Sequence, residues 1–312
     1  MAELSPMMTQ YLQIKEQHKD QILFFRLGDF YEMFFDDAKL ASKELELTLT
    51  GRDCGLEERA PMCGVPYHSC EAYIARLIKK GYKVAICEQM EDPKSAKGLV
   101  KREVIRVVTP GTLIESNMLD EGVNNFIASI YLQNGWYGLA VADISTGEVH
   151  LTQFEEGDDT AIQNELARFA PSEIVFNEGF LSKTGVAAFI REKIRCLAEM
   201  LEGDAYDRAG AEALAAEQFG KGAEALSLSE KPFAAAALGG LLFYLKQNQK
   251  LGVKRLARLD YYTSDKFMQL DMVARRNLEL TETMHTGEKR GSLLWVLDKT
   301  KTAMGKRLLR AY

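Results

Sequence analysis

The chain has 312 residues, 46% of them hydrophobic and 27% charged, with a formal net charge of -6. This length and apolar content suit a soluble globular protein of two or three domains with real cores. No run approaches the roughly 18 to 20 unbroken apolar residues of a membrane span, and Met1-Ala2-Glu3-Leu4 lacks the basic region and apolar core of an export signal, so a cytoplasmic protein without membrane contact is expected.

In chain order, residues 8–18 carry Met8, Tyr11, Leu12 and Ile14 on an approximate helical face. Residues 22–34 read as a strand broken at Gly28-Asp29, where the chain can bend or bulge. Asp36 and Asp37 open a helix through Leu45, their charges suiting the positive end of its dipole. Residues 47–50 form a short strand and 51–60 a polar loop. Ser69 caps a helix that runs to Lys80, with Tyr73, Leu77 and Ile78 inward and Gly81 at its end. Residues 82–87 and 104–108 are strands on either side of a basic, mobile segment at 93–102. The alternation predicts a mixed-sheet α/β domain over residues 1–115.

Residues 116–123, polar with one glycine, read as a linker. Three strands follow at 126–132, 138–143 and 148–154, their turns supplied by Asn134-Gly135 and Thr146-Gly147. A helix at 162–168, a strand at 173–176 and a helical pattern at 209–249, broken at Pro232, complete a ribonuclease-H-like layout over residues 124–252. From residue 253 the character changes: 267–270 is strand-like, 273–280 helix-like, and 293 to the end a basic amphipathic helix. Lys306-Arg307-Leu308-Leu309-Arg310 has no capping glycine after it and nothing to cover its apolar face, so the chain reads as cut within a further domain.

The heptapeptide Gly28-Asp29-Phe30-Tyr31-Glu32-Met33-Phe34 places a carboxylate inside an aromatic run. Residues two apart share a strand face, so Phe30 and Glu32 can touch one target together. Apolar wedges inserted between base steps test how easily a duplex unstacks, and an ionised carboxylate only accepts hydrogen bonds, which suits a base edge and not a phosphate. Tyr31 and Phe34, together with Phe24 and Phe25, read as core, and Gly28 as the backbone freedom that lets the probe protrude.

These residues resemble the MutS family of DNA mismatch-repair proteins, in which a Gly-Asp-Phe-Tyr-Glu block carries a mismatch-reading Phe-x-Glu pair, here Phe30 and Glu32. Further blocks are similar and in the same order: Ala60 to His68 (Ala-Pro-Met-Cys-Gly-Val-Pro-Tyr-His), Val84-Ala85-Ile86-Cys87-Glu88-Gln89, Val108-Thr109-Pro110-Gly111-Thr112, Asp143-Ile144-Ser145-Thr146-Gly147 and Arg275-Arg276-Asn277-Leu278-Glu279. The resemblance implies a mismatch-recognition domain (1–115), a connector domain of ribonuclease-H-like fold (124–252) and the start of a mainly helical lever and core domain (253–312). It implies binding to double-stranded DNA with a mismatch or small insertion loop, a location in the cytoplasm with the nucleoid, the partner MutL, and a self-dimer made through an absent C-terminal half. It also implies that the full-length protein is a DNA-dependent ATPase using ATP and magnesium, while this portion is not an enzyme. A P-loop, Gly-x4-Gly-Lys-Ser/Thr, is missing here: Gly220-Lys221 and Gly305-Lys306 lack the upstream glycine and the following hydroxyl.

Net charge argues the other way, because phosphate neutralisation wants Lys and Arg: residues 1–115 hold 16 of these against 18 Asp and Glu. Alone, the chain is therefore expected to bind DNA poorly. Arg26, Arg52, Arg59 and His68 are candidates for phosphate or sugar contacts, of which Arg52 and His68 flank blocks that match the family; an ion pair with a nearby acid is the plain alternative for Arg26. Lys79, Lys80 and Lys83 read as a solvated helix end. The five cysteines, without an export signal, predict no structural disulfides. Cys54, Cys63, His68 and Cys70 have poor spacing for zinc, and no resident metal or cofactor is expected in this portion. Two other functions stay open: a protein-interaction module only, or a metal-dependent nuclease using Asp143, whose carboxylate partners Glu148, Glu165, Glu173 and Glu178 look scattered and solvent-facing.

Overall fold

In the computed structural model, strand β1 (Gln21–Leu27) buries four consecutive apolar residues, Ile22 to Phe25, so both faces of the sheet built on it are covered. The structure describes residues 4–91, 98–114, 118–119, 122–157, 159–220, 224, 226–249, 253–263 and 270–312. Two units separate by their contacts: Met1–Thr112 with Asn248–Lys250, and Leu113–Gln247 with Leu251–Tyr312.

In the first unit, β1 turns at Gly28-Asp29 into β2 (Phe30–Phe34), its antiparallel neighbour. The break expected at Gly28-Asp29 is therefore a two-residue hairpin. Gly28 has φ +58°, which suits the first position of a type II′ turn. The sheet runs β3-β4-β2-β1-β5-β6, with β3 (Thr50–Arg52), β4 (Ala60–Pro66), β5 (Lys83–Gln89) and β6 (Arg102–Val108). Strand β4 occupies residues for which the sequence predicts no element, meeting the expected loop only at Ala60, and β3 starts where the strand at 47–50 was expected to end and runs into that loop. Helix α1 (Pro6–Gln17) lays Met8 and Tyr11 on the face that carries Leu23, Phe25 and Phe34, and the Tyr11 ring meets Phe25 and Phe34 edge-on at 5.4 and 5.0 Å. Helix α2 (Phe35–Leu45) covers the opposite face, where Cys63 Sγ donates to the Ala38 carbonyl. Asp36 and Asp37 lie in the first turn of α2 as expected, and Asp37 is in addition buried, ion-paired with Lys15 at 2.9 Å, and accepts from Leu23 N and Tyr11 Oη. Helix α3 (Cys70–Lys79) buries Ile74, Leu77 and Ile78. Ser69 stands at its N-cap position as expected, but the Ser69 hydroxyl accepts no capping hydrogen bond from the helix and donates to the Pro66 carbonyl. Strand β6 begins at Arg102, which is buried; residues 92–97 of the expected basic segment lie outside the described residues.

The second unit is built on an antiparallel meander, β7 (Phe126–Gln133), β8 (Trp136–Asp143) and β9 (Glu148–Glu155), extended to the order β11-β10-β7-β8-β9-β12. The three hairpin strands and Asn134-Gly135, both at positive φ, follow the expectation. Helix α4 (Thr160–Phe169) leads to β10 (Glu173–Phe176), parallel to β7. Helix α5 (Thr184–Phe189) and a π-turn at Ile190–Ile194 lead to β11 (Leu197–Met200). Helices α6 (Arg208–Phe219) and α7 (Pro232–Asn248) flank the break at Pro232, which takes the first helical position where its missing N–H costs nothing. Alanines and leucines of α7 sit in one core with β7, β8 and β9.

Strand β12 (Arg258–Tyr261) pairs parallel with β9, so the second sheet continues beyond residue 252 into the segment assigned from sequence to the next domain. Much of the linker and most of the strand expected at 267–270 lie outside the described residues. Beyond them, α8 (Met272–Asn277) is shorter than expected, and the helix expected from 293 to the end is two, α9 (Leu293–Leu297) and α10 (Ala303–Ala311). Asp298 separates them by accepting from Thr300 N and Oγ1. Among the described residues no helix is long and apolar enough to cross a membrane. Two mixed sheets with their helices make the fold α/β.

Candidate nucleic-acid interface

Phe30 is the first residue after the Gly28-Asp29 turn, paired with Leu27 on β1 and Pro66 on β4. It is 46% exposed, whereas Phe24, Phe25 and Phe34 are fully buried. Since complete burial of a phenylalanine stabilises by about 1.5–3 kcal/mol, the hairpin forgoes roughly half of that at this position. Glu32 follows on the same face and stands opposite Gly64. A Cβ built at Gly64 would lie 3.4 Å from Glu32 Cγ, so the glycine leaves the room that the Glu32 side chain occupies.

Arg52 does not point freely to solvent. Its Nη1 donates to Glu32 Oε2 in a short contact, with 38% of the Arg52 side chain and 14% of the Glu32 side chain exposed. Arg52 stands opposite Ala60, several residues along β4 from Gly64, so the guanidinium reaches back over the sheet to make this contact. The structure thus brings three of the four candidate site residues, Phe30, Glu32 and Arg52, to one surface.

On the opposite face of the same hairpin, Tyr31 is buried and its phenol donates to Glu88. Burial and that carboxylate push the Tyr31 phenol well above its ordinary range, so it remains a donor. Arg26 Nη1 lies 3.3 Å from the same Glu88 oxygen, which is the ion pair weighed as the alternative for Arg26. Its guanidinium carbon sits 3.5 Å from the Tyr67 ring centroid. His68 is exposed and meets the Tyr67 ring edge-on at 5.7 Å. Tyr67 was not singled out from sequence, yet it is 41% exposed, and its N–H donates to Asp29 in the turn beside Phe30. Its place directly after Pro66 in the Ala60 to His68 block was the available signal. Arg59 is exposed and packs over Gly51. Lys80 is tied to Glu44 at 2.7 Å.

Among the described residues no three His, Cys, Asp or Glu side chains converge as a metal site. Cys54 and Cys63 are buried and donate to the Glu58 and Ala38 carbonyls, and burial pushes the Cys63 thiol up to about 11. Asp143 is fully buried: Oδ2 accepts from Asn124 Nδ2 and Asn125 N, and Oδ1 from Ser145 N and Oγ. That arrangement closes the turn after β8. Glu173, expected at a solvent-facing position, is also fully buried and accepts from Tyr244 Oη at 2.5 Å. Glu165, likewise expected outside, is largely covered and accepts from Tyr262 Oη at 2.5 Å. Asp143, Glu165 and Glu173 thus have structural partners inside the fold, while Glu148 pairs at the surface with Arg258 and Glu178 is exposed as expected.

Three family models match in sequence order: MutS domain I over residues 5–117, MutS domain II over 125–259 and MutS domain III over 273–312. The chain is 51% identical, over its whole length, to the DNA mismatch repair proteins MutS of Ruminiclostridium cellulolyticum and Acetivibrio thermocellus, covering 36% of each. It is 50% identical to that of Lachnoclostridium phytofermentans, covering 33%. The chain thus spans about a third of the length of these curated relatives. With domains I, II and III matched in order and half of its residues shared with MutS proteins along its full extent, the chain belongs to the MutS family.

Proposed function

We propose that this chain supplies the mismatch-reading part of a DNA mismatch repair protein. Phe30 wedges beside a mispaired or unpaired base from the minor groove, stacks on it and kinks the duplex. Glu32 accepts a hydrogen bond from the displaced base, and His68 contacts phosphate or sugar nearby. Discrimination comes from the DNA, since a matched step resists unstacking by about a few kcal/mol and a mispaired one by less. The observation that carries this reading is the exposure of Phe30 at the hairpin end, on one face with Glu32, while the neighbouring phenylalanines are buried. Glu32 Oε1 accepts no hydrogen bond from the described residues, so one oxygen is available to a base.

In this reading the second domain relays the signal to MutL, the working protein is a self-dimer at the nucleoid, and ATP and magnesium serve parts of the full-length protein other than these residues. The test is Glu32→Gln in the full-length chain. Removing the carboxylate's repulsion of phosphates strengthens binding to matched duplex more than to mismatched duplex; equal changes on both would defeat the proposal. Capture of MutL by residues 124–252 but not by residues 1–115 checks the relay.

A further inference from the structure

The geometry points to Arg52 as the residue that positions Glu32 and so sets how strongly a mispaired base is preferred, and not as a phosphate ligand; this rests on the reading of Phe30 and Glu32 just given. Three observations carry it. Arg52 Nη1 is committed to Glu32 Oε2, although Arg52 lies opposite Ala60 and has to reach back over the sheet to make the contact. Glu32 is mostly covered, with 14% of its side chain exposed, and covering a carboxylate without a hydrogen-bonding partner is costly, so the contact with Arg52 is the one that holds it in place. Gly64, opposite Glu32, leaves the lane in which the Glu32 side chain lies.

The consequence is a division of labour between the two carboxylate oxygens. Oε2 is held by the guanidinium, which fixes the side-chain torsions, and Oε1 is left as the acceptor. A carboxylate held in one orientation pays no ordering cost when a base arrives. The same pairing offsets the carboxylate's charge toward the phosphates, so close approach of a duplex is less opposed than a bare Glu32 would make it. A phosphate ligand at this position would instead act on matched and mismatched duplex alike and independently of residue 32.

The experiment is a double-mutant cycle in the full-length chain, reading dissociation constants for G·T and matched duplexes by fluorescence anisotropy. Arg52→Ala is expected to lower the mismatch-to-match preference about fivefold, within the range of coupling between contacting residues. In a Glu32→Gln background the same substitution should leave the preference unchanged, and Arg52→Lys, which keeps a cation but not the fork, should restore part of it. Equal weakening on both duplexes in both backgrounds, with a shallower salt dependence, would overturn the assignment and make Arg52 a phosphate contact. Phe30→Ala, run alongside, separates the two levels: if it keeps the wild-type preference, the reading of the hairpin fails, whereas if it loses the preference while Arg52→Ala acts independently of Glu32, only the role of Arg52 fails.

Discussion

Gly64 stands directly opposite Glu32 across β2 and β4, and a Cβ built on it would lie 3.2 Å from the Tyr31 carbonyl oxygen and 3.4 Å from Glu32 Cγ. The Glu32 side chain can move; the Tyr31 backbone cannot without disturbing the hairpin that presents Phe30. Gly64→Val should therefore cost about 1–3 kcal/mol of stability in the first domain, the usual range for overpacking, and should separate Glu32 from Arg52. Urea denaturation followed by far-UV circular dichroism measures the first effect, and a fall in mismatch preference without loss of fold reports the second.

Exposure should also separate Phe30 from its aromatic neighbours in what each contributes to stability. Phe30→Ala should change unfolding free energy by about 1.5 kcal/mol or less, whereas Phe25→Ala, edge-on to Tyr11 in the core cluster that also holds Phe34, should cost about 3–5 kcal/mol. Comparable losses for the two variants would mean that Phe30 is a packing residue.

Asp143 ends β8 with two oxygens that accept four hydrogen bonds. Asp143→Asn replaces one acceptor by a donor that faces donors, at a cost of about 2 kcal/mol or more. Both tryptophans, Trp136 and Trp295, belong to the second unit, so tryptophan fluorescence in urea reads this loss. Metal-dependent nicking of DNA that disappears in a still-folded Asp143→Asn variant would instead support nuclease chemistry at this position.

His150, packed against Phe126 and Phe169 and facing Glu148, Asp260, Arg168 and Arg258, has its pKa lowered, chiefly by burial. A histidine with a depressed folded-state pKa binds its proton more readily when unfolded. Its contribution to stability is therefore complete above the ordinary value near 6.5 and is lost as pH falls through it toward the lower folded value. Between pH 7 and pH 5, wild type should lose more second-domain stability than His150→Gln, which carries no titrating group. Parallel pH profiles for the two proteins would remove His150 as the cause.

What could be read from sequence follows from how local each signal is. The hairpins of the second sheet were legible because largely apolar runs, buried almost without a break in β7 and β8, and Asn134-Gly135, both at positive φ, are properties of neighbouring residues. Strand β4 was hidden by Pro61, Gly64 and Pro66, which read as turn residues; in the fold the prolines sit second and last in the strand, and the glycine makes room for Glu32. Strands β11 and β12 were missed because four-residue edge strands with partial burial carry little periodicity. Phe30 and Glu32 could be singled out as a same-face pair from spacing alone. The contact between Arg52 and Glu32 could not, since it joins residues 20 apart through the pairing of β2, β4 and β3.

The most direct measurement is fluorescence anisotropy of labelled G·T and unpaired-T duplexes against matched duplex at low salt, with the full-length chain as wild type and as Phe30→Ala. Recognition by the hairpin predicts that wild type prefers both defective duplexes and that Phe30→Ala binds all three alike. A Phe30→Ala protein that keeps the wild-type preference would contradict it.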